Sequence, residues 1–223
     1  MAQDAASSIT ASTIRVTRLT PSGAPMVGEK NAYVTKAFIS VSLTPEYEDG
    51  DEFTQKNAAG AVCVSYRTAD TLKRVTLEIA LCNPDPEFTE IVSGGVLLSE
   101  GTGEEARSVG WLAPQIGVDA LPNGVAIEVW SGAMIDGRPA PVDPYFHWLF
   151  PYANMRQGGD RVIENGILAT SFEGWAVGNA NFGKGGSSAT TPWKWASDRA
   201  YGYGRTSAIP TLQGYNPVVA PTP

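Results

Sequence analysis

The chain has 223 residues, of which only 17% are charged, and it carries a net charge of −7 at neutral pH. Low charge combined with abundant glycine and proline favours strands joined by long loops, and the length suffices for one large β domain. The chain contains no run of Lys or Arg, which argues against tight nucleic-acid binding, because such binding needs clustered cations that release counterions.

No apolar run approaches the 18 residues that a membrane span needs. The opening residues, MAQDAASSITAS, have neither the basic nor the apolar region of a secretory signal. We therefore expect no membrane segment and no secretory leader.

The amino-terminal part predicts an arm followed by two strands. Residues 1–8 are small and polar and are interpreted as a flexible arm, and Ile9–Thr20, rich in Ile, Thr and Val, as a strand. Pro21–Asn31 is typical of a loop. Apolar and polar residues then alternate over Thr35–Thr44 as in a half-buried strand, which Pro45 is expected to end.

The most regular alternation lies in Ala61–Cys82, on both sides of a polar break at Thr68–Leu72. We interpret it as an antiparallel hairpin that turns about Asp70–Thr71 and sets Val62 opposite Ile79. One face would then be apolar and cover a core, while the other would meet water or a partner. The predicted apolar face comprises Val62, Val64, Tyr66, Val75, Leu77, Ile79 and Leu81.

The two cysteines, Cys63 and Cys82, would share the polar face of this hairpin but lie four residues out of register. At about 3.3 Å per residue this separation is roughly 13 Å, whereas a disulfide needs Cα atoms closer than about 7 Å. We therefore expect two free thiols, as in a reducing compartment.

After the hairpin the pattern predicts a short helix and then a long loop. Asn83 or Asp85 can cap the helix, prolines suit its first turn, and Gly94–Gly95 is expected to end it. Turn-forming residues make Leu98–Asn123 a predicted loop.

The carboxyl-terminal half predicts three more strands, in Val125–Ser131, Tyr145–Met155 and Val162–Trp175. Gly178–Pro192 is Gly/Ser-rich and is interpreted as a loop. We predict an all-β fold with one short helix, organised as a single β-sandwich domain over residues 9–200. Residues 201–223 are expected to form an extended Gly/Pro-rich arm without a core of its own.

Few residues suggest catalysis. His147 is the single histidine, and its place in the aromatic run FHWLF favours a structural role over a Ser-His-Asp triad, for which no G-x-S-x-G motif is present. The segment FGKGGSSATT lacks the order of a phosphate-binding loop and is typical of a flexible loop. We expect no catalytic residue, no metal and no cofactor.

The acidic stretch that precedes the hairpin has several interpretations. Carboxylates in clusters can bind calcium, but the spacing does not match the twelve-residue EF-hand loop. A glycosidase pair would need one buried carboxyl group, whereas adjacent acids beside a glycine suggest a solvated loop. The stretch could also face a neighbouring subunit or a polyanion. Its acids are Glu46, Glu48, Asp49, Asp51 and Glu52.

Six tryptophans and eight tyrosines also suggest a carbohydrate-binding module. Trp175, Trp193 and Trp195 flank one loop and could form a stacking platform. In β proteins, however, aromatic residues more often serve as core or interface anchors.

Two stretches carry a resemblance to a known family. The first is PEYEDGDEFTQKNAAGAVCVSYRTADTLKRVTLEIALCNPDPEFTEIVSGG, with an acidic loop, a K-N-x-x-G step, a D-x-x-K turn and a D-P-E helix. The second is LATSFEGWAVGNANFGKGG followed by TPWKW. Together they cover about half of the chain, and they resemble the major tail protein, or tail-tube protein, of long-tailed (siphovirus-type) bacteriophages.

The resemblance implies a β-sandwich subunit that assembles into hexameric rings, which stack into the tube for genome delivery. Its sheets would join between subunits into a barrel around the lumen. The implied partners are further copies of the chain, tape-measure and tail-terminator proteins, and double-stranded DNA that passes without specific binding. The implied location is the virion tail, assembled in the host cytoplasm. A minor tail or head-completion protein with the same sandwich is an alternative.

Within this framework the hairpin and the acidic stretch hold the candidate residues for contacts between subunits or for the lumen wall. An acidic wall would repel DNA weakly, because unit charges 4 Å apart interact by only about 1 kcal/mol in water. Two arginines on the polar face of the hairpin would pair with Glu78 or with acids of the next subunit. The candidates are Glu46, Glu48, Asp49, Asp51, Glu52, Arg67, Arg74 and Glu78.

Overall fold

The computed structural model of the protein describes residues 5–101, 107–159, 169–183 and 198–219. Antiparallel strands dominate these residues and one short helix accompanies them, which confirms the predicted fold class. In chain order the elements are β1 (Ser7–Arg18), β2 (Gly28–Thr35), β3 (Phe38–Glu48), β4 (Glu52–Lys56), β5 (Val62–Arg67), β6 (Thr71–Leu81), α1 (Pro86–Ser93), β7 (Val96–Glu100), β8 (Arg107–Leu112), β9 (Val125–Ile135), β10 (Arg138–Pro139), β11 (Tyr145–Gly158), β12 (Thr170–Ala176), β13 (Gly202–Thr206) and β14 (Gly214–Val218).

One large antiparallel sheet carries the fold, with the strand order β14-β2-β1-β9-β11-β12-β6-β3. The short strand β10 pairs with β9, and β13 pairs with the first half of β11. The register of β11 against β9 shifts between Phe150 and Ala153, and from Ala153 onward β11 pairs with β12. The β4–β5 and β7–β8 pairs are separate two-stranded sheets.

The core lies between the two halves of this sheet and is closed by α1, which gives a sandwich-like arrangement. Strands from both ends of the sheet contribute apolar side chains to a single cluster, including Ile14 and Val16 of β1 and Phe172 of β12. The helix adds Phe88 and Ile91, both fully buried. Burial of apolar surface holds these layers together, because each Å² removed from water contributes about 25 cal/mol of free energy.

The helix begins and ends as the sequence predicts. The side chain of Asp85 accepts a hydrogen bond from the backbone N–H of Phe88 at 3.0 Å, and Pro86 occupies the first turn, where its missing N–H costs nothing. Gly94 ends the helix at φ 73°, and a Cβ there would lie 2.1 Å from the carbonyl oxygen of Ala120. Glycine is therefore required at this position.

The predicted Ala61–Cys82 hairpin is wrong. β5 pairs with β4, with Glu52 opposite Arg67, and β6 pairs with β3 and β12. The turn of the real hairpin lies at residues 57–61, so the predicted turn at Asp70–Thr71 is a joint between two consecutive strands. Both cysteines are free, as predicted, although the register argument used for them does not hold.

Four further expectations about loops and ends differ from the structure. β3 continues through Pro45, which an edge strand tolerates because its outer N–H needs no ladder partner. Leu98–Asn123 contains most of the β7–β8 pair. Within the predicted carboxyl-terminal arm, β13 and β14 join the large sheet, and at the other end β1 already begins at Ser7.

Candidate assembly surfaces

A long antiparallel ribbon projects from the edge of the large sheet. β3 and β6 pair as far as Glu48 and Thr71, and four residues further along each leg Glu52 pairs with Arg67. The register is thus the same on both sides of the gap, so the four strands form one ribbon with its tip at residues 57–61. We call the part built from β4, β5 and this tip the outer ribbon.

The tip of the outer ribbon is a tight turn organised by Asn57. Its side-chain oxygen accepts hydrogen bonds from the backbone N–H groups of Ala59 and Ala61, at 3.0 and 2.9 Å. Gly60 has φ 84°, in the left-handed region that glycine occupies without steric cost. The sequence NAAGA is therefore the signal that sets the turn.

One face of the outer ribbon is apolar, and no part of the described structure covers it. Every residue from 51 to 67 is exposed. Phe53 lies opposite Tyr66 and Gln55 opposite Val64, so these side chains share a face, while Thr54 and Ser65 lie on the other. Phe53, Val62, Val64 and Tyr66 are each between 53% and 62% exposed.

The joint between the inner and outer parts of the ribbon holds several of the predicted acidic residues. Arg67 donates to Asp70 at 2.9 Å and lies 3.8 Å from Asp49. The backbone N–H of Gly50 also donates to Asp70, and a Cβ on Gly50 would lie 1.9 Å from the carbonyl oxygen of Thr68. Charge pairing and close backbone approach therefore fix this joint.

Glu46 and Arg74 form a cross-strand ion pair, with Arg74 Nε 2.6 Å from Glu46 Oε2. The hydroxyl of Thr76 donates to the same carboxylate. These contacts, Thr76 first and Arg74 second, lower the pKa of Glu46. The predicted pairing of the two arginines with Glu78 is not present, because Glu46 and Asp70 are their partners instead.

Glu48, Asp51 and Glu52 are exposed around the joint. Among the described residues, no group of three or more His, Cys, Asp or Glu side chains is placed to hold a metal ion. The acidic stretch thus provides the charged base of the ribbon, and its geometry offers no calcium site.

Four neighbouring strands present a polar face that we call the polar sheet face. Alternation places Glu78 of β6 between Ser42 of β3 and Glu173 of β12. Arg156 of β11 lies 2.7 Å from Glu173, and an open cleft runs beside this pair. The face consists of Ser40, Ser42, Thr44, Glu46, Arg74, Thr76, Glu78, Ala80, Asn154, Arg156, Gly158, Ser171, Glu173 and Trp175.

A second two-stranded ribbon, β7–β8, packs against α1, and we call it the helix-side ribbon. Its inner face carries Leu97 and Trp111, whose indole N–H donates to the carbonyl of Gly94 at 2.8 Å. Its outer face and the loop that follows carry large apolar residues that are exposed. They are Val96, Leu98, Val109, Leu112, Ile116 and Val118.

A buried polar cluster joins β1, β9 and β11. Arg15 Nε donates to Glu128 Oε2 at 2.5 Å, and His147 Nε2 donates to Glu128 Oε1 at 3.0 Å. The His147 ring stacks on Trp130 with centroids 4.5 Å apart, and the guanidinium of Arg15 lies over the same indole. Burial raises the pKa of Glu128, but Arg15 and His147 outweigh that effect and lower it to about 2.

His147 is fully buried, so a substrate has no access to its ring. The cluster compensates charge inside the fold, which fits the predicted structural role of this histidine. Glu128 was not among the predicted residues, although a lone acid in the run VAIEVW is itself a signal that a buried cation lies nearby.

The proposed tryptophan platform lies mainly outside the described residues, since Trp193 and Trp195 fall in 184–197, as does most of the Gly/Ser-rich segment. Trp175 packs against Tyr152 with centroids 6.1 Å apart. A different aromatic group, formed by Trp148 and the exposed Tyr203 with centroids 4.5 Å apart, lines an open cleft on one face of the paired strands β11 and β13, beside residues 5–8.

Within the described part of the chain, no helix has the length and apolar character needed to span a membrane. No protein-family model matches this chain, and no curated protein shows significant similarity to it. The features of the described structure that bear on function are therefore the exposed ribbons, the sheet edges and the polar sheet face.

Proposed function

We propose that this chain is a structural subunit that assembles into stacked hexameric rings and forms a phage tail tube. The tube would be the conduit for genome delivery, and the protein would reside in the virion tail. The proposal joins the resemblance of two sequence stretches to the surfaces described above. It assigns no catalytic residue, metal or cofactor to the chain.

The outer ribbon is the observation that carries the proposal. A two-stranded ribbon alone is marginally stable in water, because it cannot bury enough apolar surface to offset the entropy lost on ordering. Here all residues from 51 to 67 are exposed, and four large apolar side chains share one face. Such a ribbon acquires a core when other copies of the chain cover it.

Open sheet edges also favour assembly. The large sheet ends at β3 on one side and at β14 on the other. Unpaired edge groups favour pairing with another chain, and closure of a sheet between subunits removes such edges. Joining edges within a ring would therefore form the barrel that the resemblance implies.

The polar sheet face fits the wall of the lumen. Its acids are Glu46, Glu78 and Glu173, and its cations, Arg74 and Arg156, each form an ion pair with one of these acids. Because both arginines of this wall are already paired with acids, contact between the wall and DNA would release few counterions. DNA would therefore pass without adhering. In this arrangement the remaining partners are the tape-measure and tail-terminator proteins.

Electron microscopy of the purified protein, aged at high concentration, tests the proposal directly. Stacked rings or tubes are the expected result. A protein that stays monomeric at every concentration, by microscopy and by sedimentation, contradicts it.

Charge reversal at the ribbon base gives a second test. Changing Glu46, Glu48 and Asp49 to Lys should impair assembly or DNA passage, while the circular dichroism of the monomer stays β-type. Glu29→Lys, which reverses an exposed acid of β2 away from both ribbons, is the control. Normal tube length and infectivity in the triple variant would remove the ribbon base from the proposal.

A carbohydrate-binding module remains the second candidate, supported by the cleft on the face of the β11–β13 pair. Trp148, Tyr203 and Phe146 line it together with Arg205, as in sites where sugars stack on aromatic rings. Under this candidate, Tyr203→Ala would abolish binding on a glycan array. An array without signal for the unchanged protein would dismiss it.

A further inference from the structure

The sandwich has an opening between the edge strand β3 and the strands β1, β9 and β11. A cavity of about 210 Å³ lies in this opening and is accessible from solvent. Val129 and Phe150, both almost fully buried, form part of its wall. Val41 and Leu43 of β3, which are half-buried and pack against the core, line it as well. We call this mainly apolar cavity the inner chamber.

The inner chamber continues into the open cleft on the face of the β11–β13 pair. Ser8 and Trp148 line both spaces, so the two are adjacent and form one groove. At their junction the hydroxyl groups of Ser8 and Ser131 are hydrogen-bonded to each other at 2.6 Å. Tyr203, which is 61% exposed, and Arg205 line the outer part. The groove therefore changes from apolar inside to aromatic and polar outside.

The strand β1 is distorted where it borders the inner chamber. The consecutive residues 130–132 of β9 pair with every second residue of β1 from Ile9 to Thr13, so β1 contains two bulged residues. One of them, Thr10, has φ 42°, which is rare for a β-branched side chain. As a result, two consecutive residues, Thr10 and Ala11, line the same cavity, whereas a regular strand would place them on opposite faces. Bulges that redirect side chains in this way are frequent beside binding sites.

Size and polarity indicate the class of ligand. An apolar cavity of about 150 Å³ holds a benzene molecule, so by the same ratio the inner chamber holds roughly eight carbon atoms. The hydroxyls of Ser8 and Ser131 already bond each other, so a charged group that entered would lose its hydration with little compensation. At the outer end, exposed rings beside polar groups suit a hydroxyl-bearing head that stacks on a ring face.

We propose that this groove binds a single-chain amphiphile, with an aliphatic tail of about eight carbons in the inner chamber and an uncharged, hydroxylated head over Trp148 and Tyr203. The inference does not depend on assembly into tubes. It also goes beyond the sugar site considered above, because the buried tail supplies most of the affinity and the head supplies orientation.

A series of alkyl β-D-glucosides tests the proposal by isothermal titration calorimetry, at concentrations below those at which micelles form. Each methylene that enters an apolar site strengthens binding about fourfold, so the octyl glucoside should bind about fifteenfold more tightly than the hexyl glucoside. The gain should level off from octyl to decyl, because the inner chamber is then full. Glucose alone should bind far more weakly than any member of the series.

Variants locate the site. Ala11 is exposed and lines the inner chamber, so Ala11→Leu should fill part of it without disturbing the buried core and weaken octyl glucoside binding at least tenfold. Ser42→Leu, on the opposite face of β3, adds the same side chain and is the matched control. Tyr203→Ala should weaken binding of octyl glucoside and leave that of octan-1-ol unchanged. Val64→Glu, on the exposed outer ribbon, should leave both unchanged.

Several results would overturn the inference. The absence of saturable binding of octyl glucoside is one, and binding of glucose as tight as that of octyl glucoside is another, because the aromatic cleft alone would then be the site. An affinity that rises equally beyond octyl, together with a loss in Val64→Glu and none in Ala11→Leu, would place the amphiphile on the outer ribbon. Should Ala11→Leu misfold, Ala11→Val provides the same comparison. Ring formation is measured separately by microscopy, so none of these results decides the proposed function.

Discussion

The inner and outer parts of the long ribbon differ in burial although they form one continuous projection, with register shifts at Glu46/Tyr47 and Gln55/Lys56. In the inner part, Val75, Leu77 and Ile79 of β6 are fully buried in the core. In the outer part, Val62 and Val64 belong to the same kind of alternating pattern, and both are more than half exposed. The body of the protein covers one half, and nothing in the described structure covers the other.

This difference shows that alternation along a strand reports an amphipathic surface and does not reveal what covers it. In the inner part the covering surface is the chain itself. In the outer part the same pattern is explained most simply by a second molecule. The following measurements test whether the two parts differ as their burial implies.

The largest expected difference is in amide hydrogen exchange of the monomer. Amides of β6 from Val75 to Leu81 should exchange only through global opening, whereas those of Val62–Arg67 should exchange at least about a thousand times faster. Assembly should then protect Val62–Arg67. Equal protection of both segments in the monomer, measured by mass spectrometry or NMR, would contradict the comparison.

Glu128→Gln removes the carboxylate that compensates Arg15 inside the body. Because both side chains are buried, we expect a loss of about 3–5 kcal/mol in the free energy of unfolding. Glu46→Gln, which changes the exposed pair with Arg74, serves as control and should leave the monomer's stability nearly unchanged. Urea unfolding of both variants measures the contrast, and similar losses would refute it.

Two leucines of β6 offer a matched pair within one strand. Leu77 is fully buried, whereas Leu72, near the joint, is 43% exposed. Leu77→Ala should cost about 2–5 kcal/mol through lost burial and the cavity left behind. Leu72→Ala should change the monomer's stability by only about 0.5 kcal/mol. If the two substitutions cost the same, the ribbon is covered as far as Leu72 in the monomer.

The pH dependence of the free energy of unfolding should show the contribution of the buried cluster. The pKa of Glu128 is lowered in the folded state from 4.5 to about 2, so its stabilising contribution is complete above pH 5 and is lost as pH falls toward 2. The loss is on the order of 3 kcal/mol. Burial raises the pKa of Asp85, which acts in the opposite direction.

Subtracting the profile of Glu128→Gln from that of the unchanged protein isolates this residue from Asp85. The difference in unfolding free energy should shrink between pH 5 and pH 2. A difference that stays constant over that range would show that Glu128 does not titrate as the geometry implies.

Features determined by neighbouring residues were predicted well from the sequence. The cap at Asp85 and the stop at Gly94 depend on contacts within a few residues, and both are present. The buried face of β6 also follows from alternation alone. The mainly-β class follows in the same way from many local patterns.

Strand pairing was not predictable from the same signals. β5 and β6 have similar alternation, so sequence pattern does not decide which of β3, β4 or β12 pairs with either of them. The turn NAAGA at residues 57–61 is a stronger hairpin signal than the break at Thr68–Leu72, and it indicates the pairing of β4 with β5 that the structure has.

The contact between Glu128 and His147 joins two strands, each of which looks apolar by itself. Only the tertiary fold brings their polar atoms together with Arg15. Long-range polar contacts of this kind leave at most a local anomaly in the sequence, here a single acid within an apolar run.

The register that the ribbon keeps across the joint, from Glu48 opposite Thr71 to Glu52 opposite Arg67, limits how its length can vary. A residue added to or removed from one leg shifts every partner beyond it and turns the apolar face away from its present side. If the same number of residues is added to or removed from both legs, next to Asn57 and Ala61, the pairing and the apolar face are preserved. Related or designed proteins could therefore alter the reach of this projection in steps of about 3.3 Å, while leaving the body and the joint untouched.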